Sequence, residues 1–207
     1  MSRNVRVKRL LALAAGTAGA VAMVVAPSTA QADTVHTTAV VTKNVTFSCA
    51  YPLIGNRDVP ATVTATFPDS VAAGSPINTT NFSVAVSLDA LTLQALTLIG
   101  SATVEGTTTA GVELDINGTE LGVTLPGLNI PVTNVTGPAP VALNINGQVP
   151  SLTVKAPGQV DIAIGSTFSG KITPKRADGT LTGLGTFDLN CSMLPGQDPS
   201  LVSIPVV

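Results

Sequence analysis

Residues 112–125 read Val112-Glu113-Leu114-Asp115-Ile116-Asn117-Gly118-Thr119-Glu120-Leu121-Gly122-Val123-Thr124-Leu125. Apolar and polar positions alternate on both sides of an Asn-Gly pair. A period of two places Val112, Leu114 and Ile116 on one face of an extended chain, and Leu121, Val123 and Leu125 on one face of the next. Asn117-Gly118 is the dipeptide best able to hold two successive residues at positive φ, as a two-residue hairpin turn demands. The segment therefore predicts an antiparallel β-hairpin with one apolar and one polar face.

The same alternation recurs outward from this hairpin. Val45, Phe47 and Cys49 share a face, as do Ala61, Val63, Ala65 and Phe67, and then Phe82, Val84, Val86 and Leu88. Further along come Val141-Leu143-Ile145, Val160-Ile162-Ile164 and Phe187-Leu189-Cys191. Gly, Pro, Asn or Asp bound most of these runs. Asn146-Gly147, between Val141–Ile145 and Leu152–Val154, suggests a second hairpin with a longer loop. Short strands at this spacing mean a sandwich or a barrel, and the reading adopted is an all-β, Ig-like or related β-sandwich. Two stacked sandwiches dividing near Gly106–Gly111 are the alternative. One stretch is different: Leu88, Leu91, Ala95 and Leu98 fall at helical spacing, Ser87 or Asp89 can cap the start and Gly100 the end. A short helix over residues 88–99 is the expectation, with a strand as its rival because Leu91-Thr92-Leu93 also alternates.

Composition agrees with a sheet protein. Gly and Pro number 19 and 15, aromatics are 3%, Trp is absent, and Tyr51 is the single tyrosine. Hydrophobic residues at 44% argue against disorder. Residues 1–32 have the parts of a secretory signal. Arg3, Arg6, Lys8 and Arg9 form a basic head, Leu10–Val25 is apolar, and Ala30-Gln31-Ala32 offers small residues for cleavage between Ala32 and Asp33. An uncleaved anchor is the competing reading, since the run nearly reaches bilayer thickness. No Arg-Arg pair and no Cys at the cleavage site point to the twin-arginine or lipoprotein routes. The four head bases leave with the signal. The 12 acidic residues then face only Lys43, Arg57, Lys155, Lys171, Lys175 and Arg176. An acidic, sparsely charged surface repels phosphate backbones, so nucleic acid is a poor partner, and no later run is long enough to span a membrane.

An exported chain meets an oxidising space, where two thiols normally become one disulfide. The two cysteines, Cys49 and Cys191, bracket almost the whole exported body. A bridge between them ties an early strand to a late one on core-facing sides, packed by Phe47 and Phe187. It also favours one body, 33–207, over two.

The catalytic inventory is thin. His36 is the single histidine, close to the new N-terminus, where a His-based triad would lack a rigid scaffold. There is no G-x-S-x-G and no S-x-x-K, and too few His and Cys for a zinc site. Glu105, Glu113 and Glu120 are the glutamates from which a glycan-acting carboxylate pair could come, but sugar sites usually add aromatic platforms. Asp115–Glu120 resembles a calcium loop only in its oxygen-rich composition, and a hairpin turn uses the same residues. Asn44, Asn78, Asn81, Asn117, Asn134 and Asn190 begin N-x-Ser/Thr sequons, which a Thr-rich chain forms by chance. Leu194-Pro195 is followed by no sortase Thr and no basic-ended apolar tail, so no covalent wall anchor is expected. No cofactor and no metal are expected.

Phe47-Ser48-Cys49-Ala50-Tyr51-Pro52-Leu53-Ile54-Gly55, the step Pro68 to Gly74, Val104-Glu105-Gly106, and Cys191 followed by Pro195-Gly196-Gln197-Asp198 resemble an uncharacterised family of exported actinobacterial proteins, domain of unknown function 6801. The resemblance implies a β-sandwich-like fold, names no activity and supplies no catalytic residues. The function expected is that of a secreted structural or binding module of the extracellular space or cell envelope, without catalysis, whose partner is a protein or an envelope polymer. The loops Tyr51–Pro60, Pro126–Pro140 and Pro174–Gly179 are its candidate contact surfaces. The alternatives are a carboxylate-dependent glycan-acting enzyme, a secreted protease inhibitor presenting a rigid loop, and a self-assembling coat protein.

Overall fold

The computed structural model describes residues 37–207. The expected secretory leader, the expected cleavage site between Ala32 and Asp33, and His36 lie outside these residues. The described chain forms β1 (Thr38–Tyr51), β2 (Gly55–Pro68), β3 (Pro76–Ile77), β4 (Thr80–Leu88), α1 (Ala90–Leu98), β5 (Thr103–Ile116), β6 (Thr119–Asn134), β7 (Val141–Asn146), β8 (Leu152–Thr153), β9 (Gly158–Lys175), β10 (Phe187–Met193) and β11 (Ser200–Val206).

The strands do not make a sandwich. Their order is β10-β1-β2-β4-β7-β6-β5-β9, and β9 pairs again with β10, so one antiparallel sheet closes on itself as an eight-stranded barrel. β11 adds to β9 outside the ring, and β3 and β8 form a separate two-residue ladder. The two-sandwich alternative also falls, because β5 runs unbroken through Gly106–Gly111. Closure has visible local causes. Ladder registers shift between Thr64 and Thr66, Val104 and Gly106, Thr108 and Ala110, and Ala110 and Val112. Each bulge bends and twists its strand, and repeated bulges curl a sheet until its edges meet. In one of them Pro126-Gly127 of β6 stands opposite Thr109 of β5, where a residue without an N–H disturbs no ladder bond.

The predicted phases hold along the ring. Val45, Phe47 and Cys49, Val59 to Phe67 at odd positions, Val84, Val86 and Leu88, and Leu143 and Ile145 are all buried. A barrel of this size is just wide enough for side chains to fill it. The Asn117-Gly118 turn forms as expected: φ is 54° and 82°, β5 and β6 pair across it, and Asp115 Oδ1 accepts the Gly118 N–H at 2.7 Å. The second predicted hairpin does not form. β7 ends at Asn146, and Leu152–Thr153 leaves it to pair with β3.

The helix forms and decides which end of the barrel is shut. Asp89 caps it by accepting the Thr92 N–H at 2.8 Å, and its carboxylate also takes Arg57 Nη2 at 2.6 Å. The Arg57 hydrogen bond first, then the Thr92 amide, hold this carboxyl down at about 2. At the other terminus Gly100 N–H reaches Thr97 O and Ser101 N–H reaches Leu96 O, the paired bonds of a Schellman stop with Gly100 at φ 73°. The connection from β4 to β5 passes over β7 and β6, so α1 lies across the barrel mouth and inserts Leu93 and Leu96 into the core. The opposite end is lined differently, by Phe67, Val71, Ile77, Val160, Ile204 and Val206 from the strand ends, the β2–β3 connection and β11. Among the described residues no helix is long and apolar enough to cross a membrane.

Candidate functional site

The two ends of the barrel differ in what they leave open. At the α1 end, Pro52–Ile54 and Leu184 close over Tyr51, Leu96 and Phe187, leaving a space of about 50 Å³. Burial first, and the Asp89 carboxylate second, push the Tyr51 phenol up to about 12, with Arg57 opposing. A phenol that stays neutral when folded but ionises near 10.0 when unfolded destabilises the fold as pH rises from about 10 toward 12 and has no such effect below. Because Tyr51 is the single tyrosine, phenolate absorbance reads it directly. The folded protein is expected to show no ionisation step near pH 10.0, and urea should restore one there.

At the other end lies a larger space, about 220 Å³, walled by Phe67, Ile77, Phe82, Leu114, Leu125 and Leu152 among others. Its polar contributors are Thr79, Thr124 and Ser151, and no ionisable side chain lines it. One wall of this cavity is unfinished. β6 is paired with β5 from Thr119 to Asn134, yet its second side meets β7 at a single register position, Asn129 with Asn146. Beyond Gly147, which packs against the Leu128 side chain, the chain veers to β8. Val149–Leu152 then faces Leu121–Leu125 across the cavity with no ladder between them. The backbone of β6 from Thr119 to Leu125 is thus a free sheet edge among the described residues. Leu121, 50% exposed, stands at its rim.

The residues singled out in the sequence lie elsewhere. Cys49 and Cys191 are bonded to each other, directly opposite in the β1–β10 register, with both side chains buried. Phe168 of β9 stands beside Cys191 on the other flank, and its ring is 6.1 Å from that of Phe47. Glu105 is held by Lys175 at 2.5 Å. Glu113 and Glu120 sit eight and more residues away along the β5–β6 ribbon, on its outer face, and do not converge with Glu105 on a cleft. Among the described residues no cluster of three or more His, Cys, Asp and Glu is placed to hold a metal ion. Of the three proposed contact loops, Tyr51–Pro60 and Pro174–Gly179 reach the α1 end, but Gly55–Pro60 and Pro126–Asn134 are strand, not loop. The cavity itself was missed. Its apolar walls come from β2, β3, β4, β5, β6, β8, β9 and β11, and each apolar wall residue reads in isolation as ordinary core.

A family model described as a family of unknown function, DUF6801, matches residues 46–202. The chain belongs to that family. The DUF6801 match begins within β1, takes in both cysteines, α1 and the other strands of the barrel, and ends within β11. No curated protein and no solved structure matches the chain.

Proposed function

We propose that this DUF6801 chain is a secreted, non-catalytic binding module of the extracellular space or cell envelope, and that the open end of its barrel takes up a neutral apolar group. The observation that carries this reading is the cavity of about 220 Å³ whose walls hold no ionisable side chain. An apolar cavity of about 150 Å³ stays dry and accepts a benzene-sized guest, whereas sites for drug-sized ligands start near 300 Å³. The space here suits one branched aliphatic group or a small fused-ring system. A guest would remove its own surface and that of the cavity wall from water, at roughly 25 cal/mol per Å². The disulfide and the export signal support a body that must keep this shape without chaperones or cofactors outside the cell.

The neutral fluorophore 1-aminoanthracene is expected to bind one-to-one with a blue-shifted emission. Arg placed at the rim by Leu121→Arg should weaken that binding about tenfold, since the new cation must either block the mouth or lose its hydration. Leu121 is half exposed, so the variant should keep its melting temperature. Absence of saturable binding to the unaltered protein would dismiss the reading.

A further inference from the structure

The free edge of β6 carries more than a rim. Along Thr119–Leu125, Leu121, Val123 and Leu125 direct one face into the apolar cavity, which Thr124 also borders, and Glu120 and Gly122 lie on the opposite, outer face. That outer face is acidic. Glu120 stands opposite Asp115 on β5, and Asp115 stands opposite Asp161 on β9, so three carboxylates occupy adjoining register positions. Like charges directly opposite each other destabilise a sheet. Hydrogen bonds reach two of them, from the Gly118 N–H to Asp115 and from Gln159 Nε2 to Asp161, but no cation does: the ion pairs among the described residues are Lys43–Asp198, Arg57–Asp89, Lys171–Asp188 and Lys175–Glu105, and none involves this row. A fourth carboxylate leans outward. Gly122 has no side chain, and the Oε2 of Glu113 lies 3.4 Å from where its Cβ would be. Glu113 therefore covers β6 at Gly122 and faces the unpaired side.

We propose that β6 receives an extended peptide segment of a partner protein as an added antiparallel or parallel strand, its alternate side chains being apolar and basic. This rests on the reading of the cavity as a binding site and names the occupant. Unpaired N–H and C=O groups in a row demand another backbone. The pleat then sends every second side chain of the incoming strand into the cavity and the others over Glu120 and Glu113. The second-copy alternative is opposed by charge, because β6 against β6 would bring two carboxylate rows together.

The test uses the purified protein and a labelled, end-capped peptide Lys-Val-Lys-Leu-Lys-Val, followed by fluorescence anisotropy and amide hydrogen exchange. The expected result is saturable binding that weakens with salt and slows exchange at residues 119–125. A Glu-for-Lys peptide and a peptide N-methylated at alternate residues should both fail to bind. Glu113→Gln with Glu120→Gln should weaken the Lys peptide about three- to tenfold, as expected for two exposed charge pairs, while 1-aminoanthracene affinity stays unchanged. Equal binding of the Glu and Lys peptides, protection away from 119–125, or concentration-dependent dimerisation through β6 would overturn the proposal. Fluorophore binding without peptide binding would overturn it and leave the cavity reading standing. Failure of both removes the two together.

Discussion

Breaking the Cys49–Cys191 bridge is expected to lower the melting temperature by roughly 10 °C or more. The bridge closes a loop with a sequence separation of 142 residues. Chain entropy assigns such a loop about 5 kcal/mol, and native disulfides deliver about 2–5 kcal/mol. For a domain of this size each kcal/mol moves the midpoint by about 2–4 °C. Position adds to length. β1 meets β10 at only four register positions, Phe47 to Ala50, and the bridge is one of them. Elsewhere β1 pairs with β2 and is tied to the segment after β10 by few contacts: the Leu194 N–H to Thr46 O, the Lys43–Asp198 ion pair, and the Gln197 side chain, which donates to Thr46 O at 2.7 Å and accepts the Thr46 N–H at 2.6 Å. The β1–β10 contact is what turns a curled sheet into a ring, so its loss opens the barrel rather than trimming a loop. Cys49→Ala with Cys191→Ala is the informative variant, because Ala leaves no buried hydroxyl. Reduced unaltered protein, which keeps its sulfur volume, separates the covalent effect from the cavity effect. Both cysteines are nearly sealed from solvent, at 2% and 4% exposure, so reduction should need denaturant before it proceeds at a useful rate. A double-Ala variant melting within a degree or two of the parent would mean that the ladder alone closes the ring.

That ring explains which parts of the fold the sequence could and could not reveal. Val45-x-Phe47-x-Cys49 names a buried face whatever the sheet does next, because alternation depends only on the pleat. Asn117-Gly118 and the Asp89/Gly100 pair name a turn and a helix through the conformations those residues tolerate. Sandwich and barrel, however, share the same period of two. What separates them here is a contact 142 positions apart at β1–β10 and a single register position at Asn129–Asn146, and neither leaves a local trace. Strand length was a weaker clue that went the wrong way. Val112–Ile116 looks complete, yet β5 begins at Thr103, because Thr107-Thr108-Thr109-Ala110-Gly111 carries no apolar alternation while the strand passes through its bulges. The Asn146-Gly147 pair misled for a related reason: Gly147 is small because Leu128 packs against it, and not because the chain reverses there. The candidate site was legible only as its fragments. Leu121 and Val123 continue the alternation of a buried strand, and nothing local shows that β6 lacks a second neighbour.

Gly165→Val is expected to destabilise the protein by about 3 kcal/mol, more than a surface glycine change by a wide margin. A side chain at Gly165 would meet only backbone: the Cα and the carbonyl oxygen of Gly111 each lie 2.7 Å from where its Cβ would be. No flexible atom can yield, so either β5 and β9 part or β9 loses its bend. The bend is needed because β9 serves two neighbours in turn, β11 along Gly158–Ala163 and β10 along Thr167–Ile172. Gly165 falls between these stretches, opposite the place where the β5–β9 register shifts from Ala110 to Val112. The glycine therefore sits where the closed barrel gives way to the sheet that flanks the open cavity. Gly111→Ala should cost less, since its Cβ would approach Thr167 O at 3.1 Å, a contact that a small shift relieves. Gly137→Ala, with open space around it, should stay within about 0.5 kcal/mol of the parent. Urea midpoints ordered Gly165→Val lowest, then Gly111→Ala, then Gly137→Ala would support the crossing. A Gly165→Val midpoint equal to that of Gly137→Ala would show that β9 does not turn there.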